Sequence, residues 1–102
     1  MDAIELMRRQ RAQSEFDDMV NRFEAACDRA EIIIENRTKY NLKDNIFSFN
    51  AYKCSTKMAI RGAEKAFETE ISPAYYTLRF LVEAGIEQID NWCENKEDER
   101  YE

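Results

Sequence analysis

The side chains able to do chemistry in this sequence are carboxylates, three cysteines and a cluster of cations; histidine is absent altogether. Its absence removes the commonest general acid–base group and the commonest metal ligand. Serine–histidine and cysteine–histidine nucleophile pairs therefore cannot form within one chain. Gly62 and Gly85 are the only glycines, so neither a GxGxxG dinucleotide turn nor a P-loop exists. Cys27, Cys54 and Cys93 are odd in number and far apart, with no CxxC, which argues against a disulfide framework or a local zinc site. Each lies on or beside an apolar stripe, and the expectation is three small, buried, reduced thiols.

The carboxylates Glu31 and Glu35, Glu64 and Glu68, and Glu83 and Glu87 stand four apart, on one face of a helix. Such a pair could hold a metal or share a proton. The diiron pattern of helical bundles needs Glu-x-x-His, however, and that is impossible here. With 21 acidic residues in the chain, pairs at this spacing arise on solvated helix faces by composition alone. No set of Asp, Lys or Tyr stands out as catalytic. The expectation is a protein that binds and does not catalyse, with no cofactor and no metal.

Charge is distributed unevenly. Residues 1–35 carry a net −4 and residues 63–102 a net −7, while residues 36–62 carry +5 from Arg37, Lys39, Lys43, Lys53, Lys57 and Arg61 against Asp44 alone. The overall −6 thus hides a basic centre, which also holds Tyr40, Phe47, Phe49 and Tyr52. Lys53, Lys57 and Arg61 are four apart and share one edge of a helix, where like charges repel by a few tenths of a kcal/mol per pair. Two readings compete. The acidic helices, or a second subunit, supply the counter-charge through surface ion pairs. Alternatively, Arg37, Lys39, Lys43, Tyr52, Lys53, Lys57 and Arg61 receive the phosphates and stacked rings of a nucleotide or another phosphate ligand. The first is preferred. Within the second, a small anionic ligand suits a net −6 better than duplex DNA does.

The elements that must position these groups are helical. Asp2 followed by Glu5 resembles a capping box and opens a first helix. Phe16, Met19, Phe23, Ala26, Ala30 and Ile33 recur at three and four, flanked by Val20, Cys27 and Ile34, which predicts a long amphipathic helix ending near Asn36. Its start, Arg8-Arg9-Gln10-Arg11-Ala12-Gln13-Ser14, holds almost nothing to bury. Those turns are expected to project or to meet a partner through Arg8, Arg9 and Arg11. Ile46-Phe47-Ser48-Phe49 reads as a strand or a first helical turn, the turn being preferred, with Asp44 and Ser48 as candidate caps. A second helix follows to about Glu68, with Tyr52, Ala59, Ala63, Ala66 and Phe67 inward. Ala59, Gly62, Ala63 and Ala66 form a small-residue surface that another helix can approach closely.

Ser72-Pro73 is the clearest punctuation, since proline at the first helical position gives up only an N–H that would be unpaired anyway. The third helix then buries Tyr75, Leu78, Val82, Gly85, Ile89 and Trp92, with Leu81, Ile86 and Cys93 alongside. Residues 1–93 form one domain, and 94–102 a charged, frayed tail. The predicted fold is all-α, a three-helix antiparallel bundle with a long first helix, and leftover apolar surface suggests a homo-oligomer joined through helix faces.

The start of the chain lacks a signal peptide's basic start and apolar run, and its longest aliphatic run is Ile32-Ile33-Ile34, which predicts a cytoplasmic protein without a membrane span. In general character, a small, acidic, histidine-free, helix-rich chain resembles the accessory and counter-defence proteins of phages and mobile elements, though no motif carries the resemblance. It implies a stoichiometric adaptor or inhibitor with a protein partner.

Overall fold

The first helix starts where the sequence provides a cap. Asp2 Oδ1 accepts a hydrogen bond from the Glu5 backbone N–H at 2.8 Å, satisfying one of the orphan amides of the first turn. In the computed structural model, whose described residues are 2–39, 46–69 and 73–99, three α-helices follow one another and no strand occurs among the described residues. They are α1 (Ala3–Lys39), α2 (Phe47–Thr69) and α3 (Pro73–Glu99). The segment 46–49 resolves as a turn at Ile46 leading into α2, with Asn50 N–H donating to Ile46 O at 3.0 Å. Pro73 opens α3 as its missing N–H allows. Asp44 and Ser72 lie outside the described residues. α3 runs through the first part of the charged stretch to Glu99, and residues 100–102 lie outside the described residues. Arg29 holds this end of α3 by donating to both Glu97 carboxylate oxygens at 2.9 and 2.8 Å, and Lys96 Nζ lies 5.9 Å from the Trp92 ring centroid.

The predicted stripes meet in one core. Phe16, Met19, Phe23, Ala26, Cys27 and Ala30 of α1 pack with Phe49, Ala59, Ile60 and Ala63 of α2 and with Tyr75, Val82, Ile86, Ile89, Trp92 and Cys93 of α3. Aromatic rings close both ends. Phe16, Phe67 and Tyr75 pack mutually with centroids 5.5–6.4 Å apart, and Phe49 meets Trp92 at 5.5 Å at the other end.

These contacts order the helices. Phe67 meets Tyr75, a Cβ on Gly62 would touch Leu78, one on Gly85 would touch Thr56, and Phe49 meets Trp92; numbers rise along α2 as they fall along α3. Between α1 and α3 both rise together, through Glu15–Arg79, Arg22–Glu83 and Arg29–Glu97. The most extensive packing is α2 on α3; α1 rests mainly on α3 and touches α2 little. The small residues of α2 are used internally, with Ala59 and Ala63 buried and Gly62 against Leu78.

The molecule measures 58 × 19 × 16 Å. At 1.5 Å per residue α1 alone is about 55 Å long, whereas α2 and α3 reach about 35 and 40 Å. The excess lies at the start of α1, where residues 2–11 are exposed apart from the half-buried Arg9 and burial begins at Ala12. The turns before Arg8 therefore overhang, while Arg8 and Arg11 stand beside the start of α3 and Ala12 packs inward. No described helix is long and apolar enough to cross a membrane.

Candidate functional site

The described members of the basic centre do not share one face, because the helices turn them in different directions. Lys53 faces α1, where its Nζ donates to Glu31 Oε1 at 2.6 Å and lies 5.9 Å from the Phe49 ring centroid. The bond to Glu31 raises the Lys53 pKa above the ordinary lysine value, and the acidic first helix supplies the counter-charge here. Arg37, at the same end of the bundle, turns toward α3 instead and donates to the Lys96 carbonyl at 3.5 Å. Lys57 and Arg61 turn outward and make no ion pair among the described residues. The Lys39 and Lys43 side chains and Tyr40 lie outside the described residues.

The aromatics of this segment divide likewise. Phe49 is buried against Trp92, and Tyr52 is half-buried against the core. Phe47, by contrast, is 75% exposed at the first turn of α2. It begins a row continued by Ala51, Cys54 and Met58, at spacings of four, three and four, and all four are exposed. Cys54 is thus not the buried thiol that its position beside a stripe suggests: α2 carries apolar residues on two faces, and the Cys54 face is the one turned away from α1 and α3. Cys27 and Cys93 are buried, and burial pushes the Cys93 thiol up to about 11. Leu81, expected to flank the α3 seam, is exposed as well.

The carboxylate pairs spread out in the same way. Glu31 is bonded to Lys53 and Glu83 to Arg22, while Glu35, Glu64, Glu68 and Glu87 face solvent. The guanidinium of Arg22, donating at 2.9 Å, holds the Glu83 carboxyl below the usual carboxylate value. No group of three or more Cys, Asp or Glu is placed to hold a metal among the described residues.

At the overhanging end the structure assembles a group that sequence spacing could not reveal. Arg8 and Arg11 of α1 meet Tyr76 and Arg79 of α3 around one cavity, whereas Arg9 is half-buried on another side of α1. The contributors are more than 60 positions apart. The only hint in the sequence is that Tyr76 falls off the Tyr75–Leu78–Val82 seam, a large aromatic with no place in the core.

Comparison with protein families, with curated proteins and with solved structures returns no match for this chain.

Proposed function

We propose that this chain is a small, non-enzymatic helical binding protein acting stoichiometrically on a protein partner, as an adaptor or inhibitor in the cytoplasm. The observation that carries the reading is the row Phe47, Ala51, Cys54, Met58 on the outer face of α2, edged by Lys57 and Arg61. A solvent-exposed apolar row edged by exposed cations suits the docking of an amphipathic helix, with the partner's apolar side on the row and its carboxylates toward the cations. The composition supports the absence of catalysis, since no histidine and no glycine-rich loop is available. The same general character supports a role among accessory or counter-defence proteins of phages and mobile elements.

The direction of the inter-helix pairs supports an antiparallel three-helix bundle, with α2 running against α1 and α3. A second copy pairing through α2 belongs to this reading, because the row has the 3–4 periodicity of a helix seam. A concentration series by light scattering that shows only monomer would remove the oligomer. The binding reading itself is tested by using the chain as bait. Capture of one protein at a fixed ratio, lost on Met58→Glu with the helical circular dichroism unchanged, supports it. Capture indifferent to Met58→Glu overturns it.

A further inference from the structure

The start of α1 and the first turns of α3 enclose a cavity of about 440 Å³, lined by Arg8, Arg11, Ala12, Glu15, Tyr76 and Arg79. Its construction follows from helix geometry. Positions 8, 11, 12 and 15 recur at three, one and three and share one face of α1. Positions 76 and 79 share the neighbouring face of α3. Buried Ala12 contributes only a methyl group, which leaves room between the longer side chains.

Three guanidinium groups and one carboxylate line this cavity, a net of two positive charges in a chain of net −6. The Glu15 carboxylate accepts from Arg79 Nη1 at 2.9 Å. Arg8 and Arg11 make no hydrogen bond or ion pair among the described residues, and like charges three apart on one helix face repel each other. Beside them the Tyr76 ring is 55% exposed and packs edge-on against Tyr75, with centroids 5.3 Å apart and planes at 75°. That contact supports one edge of the ring and leaves a side open to solvent.

We propose that this pocket binds the phosphate group of a nucleotide, with Arg8 and Arg11 holding the phosphate oxygens and the base stacking on Tyr76. Guanidinium forks match phosphate oxygens in pairs, and an exposed tyrosine ring is a stacking platform for a base. Arg79, positioned by Glu15, completes the positive wall. A mononucleotide fits better than a long strand. The cavity lies in the size range of small-molecule sites, and the net −6 of the chain repels an extended polyanion. The site is separate from the α2 row and does not depend on it.

The test titrates the full chain, in phosphate-free low-salt buffer, with adenosine 5′-monophosphate, inorganic phosphate and adenosine. Calorimetry and backbone amide shifts report binding. The monophosphate should bind with a Kd of about 1 mM or tighter and shift residues 8–15 and 76–79. Adenosine and inorganic phosphate should each be at least tenfold weaker. Arg8→Glu with Arg11→Glu should weaken the monophosphate at least tenfold at an unchanged melting temperature; the Gln pair serves if charge reversal disturbs the helix start. Tyr76→Ala should weaken the monophosphate and leave inorganic phosphate unaffected. Lys57→Glu with Arg61→Glu should leave both unchanged. No binding of the monophosphate, affinity no better than that of inorganic phosphate, or binding that survives the Arg8/Arg11 change overturns the proposal.

Discussion

Replacing Gly85 by alanine adds one methyl group at the closest approach of α3 to α2. A Cβ there would lie 2.0 Å from Thr56 Oγ1 and 3.0 Å from both Thr56 Cβ and Cγ2. Thr56 is buried, and its hydroxyl donates to the Tyr52 carbonyl at 2.6 Å. Rotating the threonine moves Oγ1 away at the loss of that hydrogen bond, but it cannot move Cβ, so α2 and α3 must also separate. Alanine gains about 1 kcal/mol of helix propensity. Against this stand about 1–3 kcal/mol for overpacking a filled core and about 1 kcal/mol for the hydrogen bond. The expected net is a destabilisation of about 1–3 kcal/mol, and each kcal/mol lowers Tm by about 4–8 °C in a domain of this size.

Gly62 is the built-in control. The atoms nearest a Cβ at Gly62 are Leu78 Cδ1 and Cδ2, both at 3.3 Å, and these flexible ends can yield by a few tenths of an ångström. Propensity then decides, and Gly62→Ala should be neutral or stabilising by up to about 1 kcal/mol. Urea denaturation followed by far-UV circular dichroism measures both variants. Adding Thr56→Ala to Gly85→Ala should recover part of the loss, a coupling of about 0.5–3 kcal/mol. Recovery stays partial because the two Cβ atoms remain 3.0 Å apart. If Gly85→Ala is as stable as the parent, the helix approach at Thr56 is not as described.

Other perturbations separate the rest of the structure. A thiol reagent should modify one cysteine, Cys54, in the native protein and three in denaturant; fast native reaction at Cys27 or Cys93 contradicts their burial. The folded state holds the Cys93 proton up to about pH 11, whereas an unfolded thiol releases it near 8.5. This contribution is therefore complete below about 8.5 and lost as pH rises toward 11, so Cys93→Ala should show a shallower alkaline loss of stability. Glu83→Gln should cost about 0.2–1 kcal/mol at low salt, as befits a pair partly in water. Because Arg22 lowers the Glu83 pKa, that stabilisation is present above the usual carboxylate value and disappears as pH falls through the lowered one. Parent and variant should then converge in acid. Trp92→Ala removes the ring that meets Phe49 and should cost about 3–5 kcal/mol; a loss below 1 kcal/mol would place Trp92 outside the core.

Periodicity made most of the core legible, because Phe16–Met19–Phe23 and Tyr75–Leu78–Val82 each have only one apolar side to offer. It could not arbitrate within α2. There Phe47, Ala51, Cys54 and Met58 repeat at the same spacing of three and four as Phe49, Tyr52, Thr56, Ala59 and Ala63, and only tertiary packing decides which set is covered. Thr56 was hidden for another reason: it is a polar residue whose hydroxyl is satisfied by its own helix, so no pattern marks it as core. Leu81 shows the converse, an apolar side chain just beyond the edge of the seam. The basic centre was visible as a charge imbalance, yet which cation faces Glu31 and which faces water depends on helix rotation. The Arg8–Tyr76 pocket depends on which helices are neighbours, and no local signal encodes that.

The ion pairs Glu15–Arg79, Arg22–Glu83 and Arg29–Glu97 add little to stability individually, but their order of signs has a consequence. Along α1 the charges at 15, 22 and 29 run negative, positive, positive, and their partners at 79, 83 and 97 run positive, negative, negative. A slip of α1 by seven residues in one direction would bring Arg22 toward Arg79; a slip in the other would bring Glu15 toward Glu83. The spacing of the apolar stripe repeats every seven residues, so periodicity alone does not forbid such a slide. The sign sequence works like the cuts of a key, admitting a single alignment of the two helices. Charges worth little as fasteners thereby fix how far the start of α1 protrudes and which of its residues stand beside Tyr76.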